Sequence, residues 1–245
     1  MPTCPSTNTE LVRRARAGEA KAPYLLVADQ QTAGLGRDGR SWETPPRGAL
    51  TMSALVDPKV DALGLFPLFA ALAVCDALRA AGFSQARVKW PNDILLPADT
   101  PVSGFGNWRK VGGILAQAVP GAGVVVGIGV NISQTPDQLP VPTATSLALN
   151  GPIPDSGALR MDIARELANV LAELERDGAA PLLRRYEQLC ATIGQRVEVA
   201  ADHGDGHVQL TGRATGIADD GAVIITNDDG AAHQVHAGDV QLMAA

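Results

Sequence analysis

A chain of 245 residues, 46% hydrophobic and 19% charged, has an ordinary globular balance and room for one large domain or a large domain with a small one. Its net charge of −6 offers no overall basic field to nucleic acid or to a membrane surface, which leaves only a local basic site open.

Near the start, Thr7-Asn8-Thr9-Glu10 reads as a capping box that opens a helix ending near Gly18. Tyr24–Ala28 is a short apolar strand, and residues 30–48 form a loop rich in Gly, Arg and Pro. Leu50–Val56 is a strand. Phe66–Ala81, apolar almost throughout and stopped by Gly82, is a buried helix. The strand Arg87–Trp90 breaks at Pro91-Asn92-Asp93 and resumes over Ile94–Leu96, and Pro97–Trp108 reads as a polar, mobile hairpin tip. Val111–Val119 and Val124–Asn131 form a strand pair joined by Pro120-Gly121-Ala122-Gly123, followed by a proline-bearing loop over 134–142. Met161–Arg176 and Pro181–Leu189 have helical periodicity. After Ile193-Gly194 the texture changes to short β runs (Arg196–Val199, His207–Thr215, Ala222–Thr226, His233–His236, Val240–Met243), the pattern of a five-stranded small barrel. The expected division is therefore residues 1–192 and 193–245. No internal repeat and no helix-turn-helix segment is visible.

Cys4, Cys75 and Cys190 are too far apart for metal spacing or a disulfide framework, and Cys75 and Cys190 fall in apolar helical stretches as core thiols. Met1–Glu10 has neither the basic start nor the apolar run of a signal peptide. No stretch approaches the ~20 apolar residues of a membrane span. Together these lead to the expectation of a cytoplasmic protein in a reducing compartment.

Four segments carry chemistry. Gly34-Leu35-Gly36-Arg37-Asp38-Gly39 matches the dinucleotide-binding G-x-G-x-x-G, with a strand before it and Asp57 about twenty residues on. The helix that motif must open has no room, because Arg40-Ser41-Trp42-Glu43-Thr44-Pro45-Pro46 follows. A solvated surface loop is the plain alternative, but Trp42 is an odd residue to leave exposed there. Glycine N–H groups with Arg37 and Arg40 suit a phosphate or carboxylate. Lys89-Trp90-Pro91-Asn92-Asp93 gathers a cation, a ring, an amide and a carboxylate at one strand break. It is either a polar turn or a place where Asn92 and Asp93 orient a nucleotide or its metal beside Lys89. Lys110-Val111-Gly112-Gly113 brings a lysine into a buried strand beside glycines, which marks either ligand approach or a bulge with an edge lysine. In Gly127-Ile128-Gly129-Val130-Asn131, Gly127 and Gly129 share a face that can lie beside Gly113, suggesting a flat slot with a lysine at its mouth, and Asn131 ends the strand as a turn residue or a ligand contact.

Singly these segments are unspecific. In order, Ser6-Thr7-Asn8, then Gln31 through Trp42, then Lys89–Ile94, Lys110–Leu115 and Gly127–Asn131 resemble the biotin protein ligases over nearly the whole chain. The resemblance implies an α+β protein. Its catalytic domain would be a mixed β-sheet with helices on one side, related to lipoate ligases and class II aminoacyl-tRNA synthetases, and its C-terminal domain would be an SH3-like barrel. It implies ATP-dependent activation of biotin to biotinyl-5'-AMP and transfer to a lysine of the biotin carboxyl carrier domain of an acyl-CoA or pyruvate carboxylase, with Mg²⁺ accompanying ATP and no metal ligands assigned. By the same resemblance, Ser6, Thr7, Asn8 and Gln31 hold the polar head of biotin, and Gly34, Leu35, Gly36 and Arg37 fold over biotin and its adenylate. Lys110 contacts the biotin carboxylate and α-phosphate and, with Arg37, is catalytic. Gly113 and Gly127 floor the pocket. Trp42 and Asn131 meet adenine, and Arg37, Arg40, Lys89, Asn92 and Asp93 face the phosphates or Mg²⁺.

Three departures from the family pattern stand out. Leu35 replaces a usual arginine, the strand or helix that usually precedes Ser6 has no room, and Pro97–Trp108 is long. A lipoate or octanoyl transferase is the first competing class, set aside because Arg37-Asp38-Gly39-Arg40-Ser41-Trp42 resembles the biotin branch. A biotin-sensing repressor is the second, for which five residues before Ser6 leave no DNA-binding domain.

Overall fold

The run Ala49–Val56 is buried at every position, so the sheet that holds it must be covered on both faces. The computed structural model describes residues 1–57, 63–203 and 206–243. In chain order its elements are β1 (Thr3–Cys4), α1 (Thr7–Arg16), β2 (Tyr24–Ala28), β3 (Gln30–Gln31), β4 (Gly34–Leu35), β5 (Ser41–Trp42), β6 (Ala49–Val56), α2 (Phe66–Ala80), β7 (Arg87–Lys89), β8 (Asp93–Val102), β9 (Gly106–Val119), β10 (Gly123–Asn131), α3 (Ser156–Asp177) and α4 (Ala179–Leu189). There follow β11 (Arg196–His203), β12 (Gly206–Ile217), β13 (Val223–Thr226), β14 (Ala232–Val235) and β15 (Asp239–Leu242).

Six strands form one sheet in the order β2-β6-β10-β9-β8-β7, antiparallel at every pairing. The parallel component expected of a mixed sheet is found in a separate pair, β1 with β3, and in isolated bridges of Val88 to Cys190 and Lys110 to Ala144. The last five strands make the expected SH3-like unit, an antiparallel sheet in the order β14-β13-β12-β11-β15.

Side-chain alternation divides the six-stranded sheet cleanly. Leu50, Met52, Ala54 and Val56 of β6 and Val124, Val126, Ile128 and Val130 of β10 join the main core under α2, α3 and α4. Leu55 and Val125 face the other way, where Leu11 and Ala15 of α1 cover them. Because α1 covers only one end of that second face, the rest of it is available for a cleft. α2 is apolar on nearly all sides and correspondingly buried. The run Leu63–Ala80 is long and apolar enough to cross a bilayer, which the sequence reading missed, and here it packs against α3 and the sheet with two-thirds of its length buried.

Three local expectations are corrected. The cap of α1 is Ser6, whose Oγ accepts the Thr9 N–H at 3.4 Å, and not Thr7. Both the N–H and the hydroxyl of Thr7 are committed to Gln31, and Glu10 turns to Arg13 and Arg14. A strand does precede Ser6: β1 pairs with β3, tied by Gln30 N–H to Pro2 O at 3.1 Å and Thr32 N–H to Cys4 O at 3.0 Å. Pro97–Trp108 is a hairpin built from the ends of β8 and β9 whose tip is tethered, with Gly104 pairing to Leu242.

The main apolar core continues into the C-terminal unit through Val197, Val199, Ala214, Val223 and Ile225. Trp90, 1% exposed, fastens the two: its indole N–H donates to Gly221 O at 2.9 Å. Trp90→Phe keeps a ring in the core and removes that donor, leaving a buried carbonyl unpaired. Urea denaturation should show a loss of about 1–3 kcal/mol, and an unchanged midpoint would remove this bond from the account of the domain interface.

Candidate active site

Antiparallel register sets the floor of the site. Lys89, Asp93, Gly113, Gly129 and Thr51 stand opposite one another in a single row across β7, β8, β9, β10 and β6. The next row is Leu115, Gly127 and Ser53. Both lie on the face turned away from the main core and open to a cleft of about 620 Å³, within the roughly 300–1,000 Å³ of small-molecule sites. The glycines are required by what lies on them. A Cβ at Gly127 would overlap the Asn8 amide, and one at Gly129 would stand 2.7–2.9 Å from the Trp42 indole. Trp42 thus lies across the expected slot, its Nε1 buried and unpartnered.

Lys110 reaches the cleft through a bulge. On β9, Gly113, Leu115 and Gln117 face the cleft side while Ile114 and Ala116 face the core, so an even-numbered Lys110 should face the core as well. Between the pairs Ile94↔Gly112 and Leu95↔Lys110, β9 advances two residues for one on β8. The extra residue shifts the alternation by one, so Val111 enters the core and Lys110 turns to the cleft. A Cβ on Gly113 would sit 3.2 Å from Lys110 Cε, so the lysine lies over the glycine floor. The sequence alternative of a bulge with an edge lysine was half right: the bulge exists, but Lys110 is flanked by β8 on one side and by Thr143–Thr145 on the other, through Lys110 N–H to Thr143 O and Thr145 N–H to Lys110 O at 2.8 Å each.

One end of the cleft is polar and uncharged. Gln31 Oε1 accepts from Thr7 N–H at 2.7 Å and from the Thr7 hydroxyl at 3.0 Å, while Asn8 Nδ2 donates to Leu115 O at 3.0 Å and Gln117 Oε1 at 2.9 Å. Ser53 Oγ, fully buried, lies 2.6 Å from Asn8 Oδ1 and 2.8 Å from Thr7 Oγ1.

The other end is cationic, with carboxylates interleaved. Asp93 Oδ1 is 2.5 Å from Lys110 Nζ, and its Oδ2 is 4.0 Å from Lys89 Nζ. Burial pushes the pKa of Lys89 down, Asp93 opposes that, and Lys110 adds to it. Arg37 donates to Gly238 O at 2.7 Å and Asp239 Oδ1 at 2.9 Å, and Arg40 pairs with the other oxygen of Asp239. Burial works to raise the pKa of Asp239, but the hydrogen bond and charge of Arg40, with Arg37, outweigh it and hold the carboxyl below its ordinary range.

The cleft gathers Ser6, Thr7, Asn8, Gln31, Leu35, Gly36, Arg37, Arg40, Trp42, Lys89, Asn92, Asp93, Lys110, Gly113, Gly127 and Asn131. Gly34 is the exception. It lies beneath the loop, where a Cβ would overlap Trp42 O, and its absence of a side chain lets β4 and β5 pair. Two members are already engaged by the protein: Asn92 Nδ2 donates to Ile114 O at 3.0 Å, and Asn131 pins the following loop through Thr145 O at 2.9 Å and Gln134 Nε2 at 2.8 Å. The sequence reading missed Ser53, Phe105 and Asp239. Thr51 and Ser53, polar at alternate positions of an otherwise apolar strand, were a readable signal for Ser53. Nothing local marked Asp239, which comes from the C-terminal unit. Among the described residues no group of three or more His, Cys, Asp or Glu side chains is gathered, so a metal ion would enter with a ligand's phosphates and at most one or two carboxylates.

The biotin/lipoate A/B protein ligase family matches residues 1–132, and the biotin protein ligase C-terminal domain matches residues 192–243. The biotin–[acetyl-CoA-carboxylase] ligase of Mycobacterium tuberculosis is 35% identical over 96% of this chain and 85% of its own, and that of Paracoccus denitrificans 32% over 92% of each. The biotin protein ligase of Aquifex aeolicus, solved in complex with biotin and ATP, superposes with a TM-score of 0.80 at 25% identity, covering 100% of this chain and 97% of its own. The chain belongs to the biotin/lipoate A/B protein ligase family, and within it to the biotin protein ligases.

The arginine pair held by Asp239 gives a direct test. Asp239→Ala should free the loop over 34–42. Exposed pairs of this kind are worth up to ~1 kcal/mol each, so tryptic cleavage after Arg37 or Arg40 should become about fivefold or more faster. Cleavage at the wild-type rate would show that the loop is held by something else.

Proposed function

We infer that this chain activates biotin with ATP, releasing pyrophosphate and forming biotinyl-5'-AMP, then passes the biotinyl group to a lysine of a biotin carboxyl carrier domain, releasing AMP. In this reading residues 1–192 carry the chemistry and 193–245 close one side of it. One observation carries the reading: a single cleft joins an uncharged hydrogen-bonding end at Thr7, Asn8 and Gln31 to an end with four cations, Lys89, Lys110, Arg37 and Arg40. A ligand with a neutral polar head, an aliphatic arm and a carboxylate destined for a phosphate matches that polarity.

The ureido group of biotin takes the polar end, lined by Thr7, Asn8 and Gln31. Its arm crosses the strip of Leu115 and Gly127, and its carboxylate arrives over Gly113 beside Lys110. Attack by a carboxylate oxygen on the α-phosphorus forms the mixed anhydride and breaks the bond to pyrophosphate. Charge builds on the phosphoryl oxygens, where Lys110 and the loop arginines stabilise it. Bound with ATP, Mg²⁺ would neutralise charge on the departing phosphates, with Asp93 and Asn92 the side chains placed to meet it. Trp42, with Asn131, takes the adenine side. In the second half-reaction the neutral amine of the carrier lysine attacks the acyl carbon and AMP departs. The loop over 34–42 must cover the anhydride meanwhile, because water competes with the amine.

Purified protein should exchange pyrophosphate into ATP only with biotin present, and Lys110→Ala should lower that exchange about several hundred-fold with the fold intact, the effect of removing one transition-state donor worth ~3–4 kcal/mol. Exchange supported equally by lipoate, or absent with biotin, defeats the reading.

Leu35 is a second test. It lines the cleft at 43% exposure, where related loops would carry an arginine. Neither Arg109 nor Arg47 replaces the charge: Arg109 donates to Trp108 O and Thr100 O along the hairpin, and Arg47 lies outside the cleft lining. Leu35→Arg should therefore slow release of biotinyl-adenylate about ten- to hundred-fold in a filter-binding chase. An unchanged release rate would show that the intermediate is already fully held.

A further inference from the structure

Phe105 stands at the tip of the β8–β9 hairpin between two left-handed glycines, Gly104 at φ +76° and Gly106 at φ +54°. That backbone makes a tight reversal unsuited to other residues, and it sends the ring into the cleft, where Phe105 forms part of the wall. The ring centroid lies 4.7 Å from Lys89 Nζ. The tip is anchored on the far side of the site. Gly104 O accepts the Leu242 N–H at 3.0 Å, so β15 supplies both the hairpin's mooring and the Asp239 that holds Arg37 and Arg40. Arg109 Nη2, donating to Thr100 O at 2.9 Å, stiffens the hairpin.

Lys89 is 5% exposed, and its carboxylate neighbour is shared: Asp93 is 4.0 Å from it but 2.5 Å from Lys110. An ammonium is a compact, strongly hydrated charge, and a buried one needs something in place of water. The charge of Asp239 also favours the ammonium, but that carboxylate is committed to Arg37 and Arg40, and another placed directly on Lys89 would compete with phosphate for the same cation and repel the phosphate itself. An aromatic face attracts the cation through its quadrupole and carries no net charge. The geometry points to Phe105 as a positioning residue for Lys89: its ring keeps the ammonium charged, screened from solvent and aimed into the phosphate end of the cleft. This rests on the adenylation reading only for what Lys89 then meets.

The test compares the full chain with Phe105→Leu, which keeps apolar bulk without a π face, and Phe105→Tyr, which restores one. Two readouts are taken. The first is competitive acylation of Lys89 followed by mass spectrometry, which requires no ATP. The second is biotin-dependent pyrophosphate exchange with KM for ATP separated from kcat, alongside thermal denaturation. Phe105→Leu should raise acylation of Lys89 several-fold and raise KM for ATP about five- to thirtyfold, the size of a partly desolvated cation–π contact, at unchanged kcat and Tm. Phe105→Tyr should behave as wild type. The proposal is overturned if Lys89 reactivity and KM stay at wild-type values in Phe105→Leu, or if the tyrosine variant fails equally. Raised Lys89 reactivity in a protein that shows no biotin-dependent exchange would uphold the positioning and strike the adenylation reading instead.

Discussion

Side chains on a strand alternate between faces, and a single residue inserted into one strand reverses that alternation beyond it. Both halves of this rule are used here. Unbroken alternation in β6 and β10 sends the branched aliphatics to the helices and leaves Thr51, Ser53, Gly127 and Gly129 for the other face. The break in β9 at Val111 then places one lysine on the glycine face that it would otherwise have missed. Without the bulge, the Lys110 ammonium would enter an apolar core, where an unpaired charge is strongly unfavourable. The bulge therefore joins core formation to the chemistry: the same register error that would disarm the site would also destabilise the fold.

A cleft with four cations close together cannot stay uncompensated. Asp93 stands between Lys89 and Lys110, and Asp239 between Arg37 and Arg40. These carboxylates hold the cations in place, so under the proposed reading phosphate binding would be an exchange of partners. The gain from each new phosphate contact is reduced by the contact it displaces, and affinity for the nucleotide is a difference between comparable electrostatic terms.

Much of this was legible in the chain. Most strands and helices fall where alternation, glycine stops and helical periodicity put them, although Arg87–Lys89 and Asp93–Val102 are two arms of a hairpin and not one broken strand, and the Ser6, Gly34–Trp42, Lys89–Asp93, Lys110–Gly113 and Gly127–Asn131 segments meet at one cleft. What failed did so for identifiable reasons. Thr7 looked like the helix cap because local spacing cannot show that Gln31, twenty-four residues on, claims its hydroxyl. The hairpin over 97–108 looked like an untethered tip because its pairing partner, Leu242, is distant in sequence and contributes only backbone. The helix over Phe66–Ala81 was read as buried, and α3 and the sheet do bury it, but the apolar run extends back to Leu63 through a short turn that the helical reading left out, and so reaches the length of a membrane span. Local signals survived, and long-range pairings were lost.

Asp239 shows what that loss conceals. By sequence the C-terminal unit looks like an appended barrel, and its short strands carry no motif. By structure it is a wall of the cleft. β15 delivers Asp239 and Val240 to the site, Gly221 receives the Trp90 indole, and Glu187 of α4 accepts the Ile217 N–H at 2.7 Å. Trp90 lies between Lys89 and the strand carrying Asp93, so the bond that fastens the C-terminal unit also fixes the backbone that aims both charged groups. A displacement of that unit would move the arginine loop, through Asp239, and the lysine–carboxylate row, through Trp90, together. Two charge clusters from separate segments thus share one mechanical reference, which is what an in-line reaction between a carboxylate and a phosphorus requires, since misplacing either partner by an ångström costs about a hundredfold in rate.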